Sequence, residues 1–320
     1  MNWREKVAEY LDLHYLTFLD MFEDEIDGPN RAAKRKKVRR EYEKQQKQNK
    51  KKSKKFKTQP VVENLYKNEF NVDLNNTSEV KFGVISDTHM NSKYSQLTHL
   101  NNFYDICEKR GITSIYHAGD IDEGHNMRVG HIYENYKQGA DQHIEEIIKN
   151  YPYREGITTH FICGNHDASF MKSSGLDIGK QISNKRKDMH YLGRDNALVH
   201  ITDKITMLLK HPWSGSAYAL SYRPQKIVEA METSCLAKPD ILCIGHFHKL
   251  EYLFYHGVHC FQTGCFQSST PFTEGKGISV SMGGWIITLN IDKDTGELKS
   301  IIPELIPYNV AIENDYLNFS

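Results

Sequence analysis

The sequence predicts an α/β fold carrying a second, antiparallel-leaning sheet packed against the first, with a short helical and basic extension in front. Three observations predict it. Short apolar runs of strand length recur from Val80 onward, helical patterns fill the gaps between them, and several runs end in a cluster of Asp, Asn or His.

The extension comes first. Trp3, Val7, Leu11, Tyr15, Phe18, Leu19 and Phe22 recur at roughly helical spacing, and Asp27-Gly28-Pro29-Asn30 breaks the pattern as a turn. From Arg31 to Lys57 there are 15 Lys/Arg against 2 Glu, so a chain of net charge +0 is a basic segment of +13 on a body of −13. From Glu43 the composition falls to Lys, Gln and Asn, which cannot bury a core. Residues 1–60 are therefore expected to be a helical and basic module with its linker, and residues 78–310 the main domain.

The main domain begins with Lys81–Ile85, which runs into Ser86-Asp87-Thr88-His89. Thr113–Ala118 runs into Gly119-Asp120-Ile121-Asp122, and Thr159–Cys163 into Gly164-Asn165-His166-Asp167. Thr206–Lys210 runs into His211, and Asp240–Ile244 into Gly245-His246-Phe247-His248. Helices are expected over Gln96–Arg110, Asp141–Tyr151 and Arg223–Leu236. Gly124–Gly139 and Ala168–Arg194 read as long loops, the second holding Lys172, Lys180, Lys185, Arg186 and Lys187. Val258–Gln262 and Gly284–Ile291 are further strands, with a hairpin turn at Lys293-Asp294-Thr295-Gly296. In open α/β sheets, sites gather outside the carboxyl ends of strands, so five such ends delivering Asp, Asn and His should converge.

That residue set is what a two-metal centre needs. Two cations about 3.5–4 Å apart can clamp both oxygens of a phosphoryl transfer, and mixed imidazole and carboxylate ligands suit Mn, Fe, Zn or Co. Asp87, His89, Asp120, Asn165, His211, His246 and His248 supply such a set.

In this order, DTH, GDID, GNHD, a lone His after a strand, and GHFH resemble the motif series of the calcineurin-like metallophosphoesterase superfamily, over roughly residues 80 to 310. The resemblance implies a four-layer αββα fold, two packed sheets flanked by helices. It implies two divalent metal ions, Mn first among them, with Asp87, His89 and His248 on one, Asn165, His211 and His246 on the other, and Asp120 bridging. His166 would orient the phosphate and assist the leaving group while a metal-bound hydroxide attacks, and Asp167 would orient His166. The GDIDEGH stretch lacks the Asp-Arg-Gly of the related protein phosphatases, whereas the histidine of GNHD, replaced by cysteine in some small phosphodiesterases, is present. His125, His131, His143, His190, His200, His256 and His259 read as ordinary polar or core residues.

The expected function is therefore a metal-dependent phosphodiesterase on a phosphate-ester substrate, with nucleic acid favoured because the basic segment 31–57 attracts a phosphate backbone. A phosphatase on small monoesters or nucleotides is the alternative, and a non-catalytic scaffold the third reading. Arg128 and Tyr218 are candidate substrate contacts. The six cysteines show no CxxC spacing, no apolar stretch marks a signal peptide or membrane span, and a reducing, cytoplasmic setting is expected (nuclear if eukaryotic). Nothing in the sequence speaks to oligomeric state.

Overall fold

A computed structural model of the 320-residue chain describes residues 68–72, 78–213, 215, 219–234 and 237–319. The expected N-terminal helix, the basic segment, Tyr218 and Cys235 lie outside the described residues. The chain divides into Met1–Val61 and Val62–Ser320, and the description that follows concerns the second unit.

Among the described residues, twelve strands form two sheets of six. The first contains β2 (Glu79–Ile85), β3 (Ser114–His117), β4 (Thr158–Cys163), β5 (Met189–Arg194), β11 (Met282–Ile291) and β12 (Leu298–Tyr308), in the order β12-β11-β2-β3-β4-β5. β2 to β5 are parallel, while β11 and β12 close one edge antiparallel. The second contains β1 (Glu69–Asn71), β6 (Asn196–His200), β7 (Thr206–Lys210), β8 (Ile241–Ile244), β9 (Leu250–Tyr255) and β10 (Val258–Thr263), in the order β1-β6-β7-β8-β10-β9.

Period-two alternation sends each strand's side chains into two different cores. Phe82 and Val84 of β2, Trp285, Ile287 and Leu289 of β11, Met207 and Leu209 of β7, and Ile241 and Cys243 of β8 interdigitate between the sheets. The opposite face of the first sheet, with Ile85, Ile115 and Ile286, packs on helices α1 (Leu97–Lys109), α2 (Ala140–Asn150), α3 (Ala168–Ser174) and α4 (Ile178–Lys185). The opposite face of the second, with Leu208, Leu242 and Cys260, packs on Val228 and Met231 of α5 (Tyr222–Thr233). A short α6 (Pro271–Gly275) completes the helices. The result is the four-layer αββα arrangement. Leu97, Leu100, Phe103, Tyr104 and Cys107 form the buried stripe of α1, the helical spacing that makes this segment legible.

Two expectations are corrected. The C-terminal strands do not make a sheet of their own: β9 and β10 extend the second sheet and β11 and β12 the first. The segment Ala168–Arg194 is not a loop but folds as α3, α4 and β5. Within it Arg186 is a structural residue, its guanidinium donating to Ile148 O, Tyr151 O and Pro152 O and pairing with Asp188. The expected hairpin does form between β11 and β12, where Asp292 Oδ1 accepts from Asp294 N and Thr295 N.

Candidate metal centre

Five parallel strands, three from one sheet and two from the other, end side by side, and their loops carry the seven predicted ligands. The loops are held in costly conformations. Asp87, His89, Asp120, His246 and His248 all have φ between 44° and 78°, a region costing of order 1–3 kcal/mol per non-glycine residue. Glycine lets the loops approach closely. A Cβ on Gly164 would stand 2.3 Å from Asp120 Oδ1 and 2.7 Å from His211 Nε2.

The ligand candidates fall into two groups. In the first, His248 Nε2 lies 3.3 Å and His89 Nε2 3.7 Å from Asp87 Oδ1, and the two ring nitrogens are 3.1 Å apart. Asp87 Oδ2 is satisfied by Ser86 Oγ and by His246 N at 2.8 Å, while Oδ1 is buried with no hydrogen-bond partner. In the second, His211 Nε2 lies 3.0 Å from Asp120 Oδ2 and 3.1 Å from Asn165 Oδ1, and His246 completes the cluster. His211 Nδ1–H is spent on Ala118 O at 2.7 Å, so a neutral His211 turns a bare Nε2 lone pair toward two oxygen acceptors. Convergent lone pairs in a buried place need a proton or a cation.

The electrostatics agree. Burial alone would raise the Asp87 carboxyl, but His248 and His89 hold it well below the usual carboxylate range. Burial opposes charge on His211, yet Asp120 pushes it up to about 9. Burial likewise opposes charge on His248, and Cys265 and Asp87 push it up to about 10. His246, which burial and His211 depress to about 4, stays neutral. The donor set fits divalent cations: Asp87, His89 and His248 would hold one, and Asn165, His211 and His246 the other. Asp120, with Oδ1 on His166 N and Oδ2 on His211, clusters with His211 and His246.

His166 lines the cavity above these groups. The expected partnership with Asp167 is not what the structure shows. His166 Nδ1–H donates to the backbone carbonyl of Glu123 at 2.5 Å. The Asp167 carboxylate accepts from Gly164 N at 2.8 Å, Asp122 N at 2.9 Å and Ile121 N at 3.3 Å. Asp167 ties the GNHD loop to the GDID loop, and burial together with the Asp120 charge raises it to about 7.

Glu123 is the residue the sequence reading missed, although it sits in the quoted GDIDEGH. It is buried, with Oε1 2.7 Å from His131 Nε2 and Oε2 accepting from Gln267 Nε2 at 2.6 Å. The same Oε2 is 2.9 Å from His89 Nδ1, a charge contact bent away from the line of a good hydrogen bond. An acid three residues past Asp120 was the available signal; nothing marked His131 or Gln267. His143, also read as ordinary, is buried and holds Asp122 at 2.8 Å, which in turn accepts from Asn91 Nδ2 and Gly124 N.

Residues 80–278 match the family model of the calcineurin-like phosphoesterase superfamily domain. The chain belongs to that superfamily. Among solved structures, this phosphoesterase is similar to a novel archaeal phosphodiesterase at 15% identity, over 71% of this chain and 100% of that one, with TM-score 0.38. Zinc-complexed Vps29 from Entamoeba histolytica matches at 16%, over 72% and 100%, TM-score 0.38. The phosphoesterase YfcE from E. coli matches at 14%, over 70% and 98%, TM-score 0.36. None of these likenesses bears on the activity of this chain. No curated protein matches it.

Proposed function

We propose that this phosphoesterase is a dinuclear-metal-dependent phosphodiesterase whose substrate is nucleic acid. The observation that carries the reading is that His89 and His248 of one ligand group and Asp120, Asn165 and His246 of the other line one cavity of about 430 Å³ with His166 in its wall. Two bound divalent cations, Mn²⁺ first among the candidates, would supply Lewis acidity and water of lowered pKa.

The chain's own groups have separable tasks. Asp87 and Asp120 place carboxylate charge among the imidazoles, and His248 and His211 turn Nε2 toward it. Burial holds His166 below its ordinary value, so at neutral pH the ring is uncharged, its proton on Nδ1 and its Nε2 free. An anionic phosphate ester in the cavity favours the protonated ring, which can then donate Nε2–H to a leaving oxygen. The Glu123 carbonyl keeps that ring in place throughout. Nucleic acid is the favoured substrate because the cavity rim is aromatic and cationic and because the sequence carries +13 in residues 31–57.

The test pairs a bis-aryl phosphodiester with the matching aryl monoester on Mn²⁺-loaded protein, with His166→Ala and Asp120→Ala beside wild type. Diester turnover lost in both variants is expected. Turnover of the monoester alone would replace the reading with a phosphatase. No turnover with Mn, Fe, Zn or Co would favour the scaffold reading.

A further inference from the structure

Two exposed aromatic rings line the same cavity as the metal-ligand candidates, and a cation stands against each. Trp213 lies two residues beyond His211 and is 51% exposed. Its indole N–H donates to Asp195 Oδ1 at 2.8 Å, which fixes the plane of the ring. Lys172 Nζ, from α3 just after the GNHD loop, lies 4.4 Å from the ring centroid, and Arg194 Cζ lies 6.0 Å from it. Phe272, 42% exposed, sits on the first turn of α6. Thr270 and Thr273 fix that turn by exchanging side-chain and backbone hydrogen bonds. Arg128 Cζ stands 4.6 Å over the Phe272 ring and is itself held by Glu134.

An apolar ring left half in water, with its orientation fixed, costs free energy unless something covers it in the working state. Flat rings beside guanidinium and ammonium groups match a nucleobase joined to a phosphate, because every base offers a π-face and every linkage a charge. A protein phosphoester would supply the charge but no flat partner for two separate rings. In a duplex the base faces are already occupied by their neighbours, and a cavity of about 430 Å³ is the size of a small-ligand site. It can take a nucleotide or two of an open strand.

We propose that Trp213 and Phe272 are stacking platforms for unpaired bases of a single-stranded nucleic acid. Lys172, Arg194 and Arg128 contact its backbone, and the rings set specificity for single strands. This rests on, and sharpens, the nucleic-acid phosphodiesterase reading.

The decisive measurement is equilibrium binding of a fluorescein-labelled ten-nucleotide strand with phosphorothioate linkages to the full chain. It is read by anisotropy at a salt concentration high enough to suppress binding by the basic segment. The comparison ligands are the same strand annealed to its complement and a strand of abasic sugars. Trp213→Ala and Phe272→Ala should each weaken binding of the single strand by roughly 5- to 100-fold, the range one stacked base supplies. Trp213→Phe should recover most of the loss. Phe254→Ala, which removes an exposed ring on β9 outside the cavity lining, should change nothing. Duplex and abasic strand, which forfeit both rings, should bind wild type at least as weakly as the intact strand binds Trp213→Ala. Equal binding of duplex or abasic strand, or unchanged affinity in both alanine variants, would overturn the proposal. Because binding is read without cleavage, the two readings fail separately. Ring-dependent binding of a strand that Mn²⁺-loaded protein does not cut would sink the phosphodiesterase reading alone. Cleavage with ring-independent binding would sink the stacking platforms alone.

Discussion

The two halves of the centre are braced by different materials. The Asp120–Asn165–His211–His246 half is held by main chain: Ala118 O fixes the His211 ring, His166 N fixes the Asp120 carboxylate, and Gly164 leaves room for both. The Asp87–His89–His248 half shares one such donor, His246 N on Asp87 Oδ2, but its His89 ring is held by a side chain, Glu123, which is itself kept in place by His131 and Gln267. Only this half leaves a carboxylate oxygen, Asp87 Oδ1, buried without a partner. Main-chain bracing cannot be retuned by a single substitution without moving a loop, whereas side-chain bracing can. The Asp120 half should therefore fail abruptly and the Asp87 half by degrees.

The abrupt failure is the largest effect. Gly164→Ala would drive a Cβ against Asp120 Oδ1 and His211 Nε2 at 2.3 and 2.7 Å, so both groups must leave their positions. Diester turnover is expected to fall by roughly a thousandfold, as far as in Asp120→Ala, because the one change displaces and the other removes a carboxylate that the cations need. If Gly164→Ala keeps more than a tenth of the activity, the second half is not rigidly braced and the contrast between the halves collapses.

Protons sharpen the comparison next. In the metal-free protein His211 and His248 are raised from 6.5 to about 9 and about 10. The stability they contribute is fully present below pH of about 6.5 and is lost as pH rises through those values. A cation needs the same nitrogens unprotonated, so its binding releases protons. At pH 7, two pH units below the His211 value, metal affinity should lie about a hundredfold below its high-pH limit from this residue alone. The Tm gap between metal-loaded and metal-free protein should then widen steadily from pH 6 to pH 8.5. Calorimetric titrations in buffers of different ionisation enthalpy should register the protons released. A gap independent of pH would mean that the rings are already neutral.

The main chain of the site was more legible in the sequence than its support. The strand ends were visible because an apolar run followed by Gly-Asp or Gly-Asn-His marks both the burial of a strand and the turn that follows. The same runs foretold the helices on either side, to within a few residues. What could not be read was pairing at a distance. The division of β9 to β12 between two sheets depends on which buried face each strand meets, and Val258–Gln262 of β10 and Gly284–Ile291 of β11 both read simply as strands in sequence. The segment Ala168–Arg194 hid two helices and a strand because its helices are short, with few apolar positions to show a period. Glu123 has no readable role in the sequence since its partners are 8 and 144 residues away, and the task expected of Asp167 falls to the Glu123 carbonyl.

Glu123 therefore offers the graded test of the first half. Glu123→Gln keeps the shape and removes the charge facing His89 and His131. Groups that orient metal-binding histidines are typically worth 10–100-fold in affinity, and a loss of that size is expected for one cation only, the other binding as in wild type. Titration with Mn²⁺ followed by calorimetry separates the two sites. Equal weakening of both would show that Glu123 acts on the whole centre and not on the His89 side.

The smallest effect belongs to His131, one shell further out. His131→Ala strips Glu123 Oε1 of its 2.7 Å partner but leaves Gln267 on Oε2 and the His89 contact intact. A buried carboxylate oxygen left without a donor costs about 1–3 kcal/mol, so the variant should show a lowered Tm. Its metal affinity should fall only a few-fold, because the oxygen that faces His89 is not the one deprived. The ratio of the two losses carries the information. If His131→Ala weakens the cation as much as Glu123→Gln does, Glu123 depends on His131 for its position, and the bracing of this half extends to the loop after Gly124. If stability falls and affinity holds, Gln267 alone suffices to keep the carboxylate on His89, and His131 serves the fold of that loop.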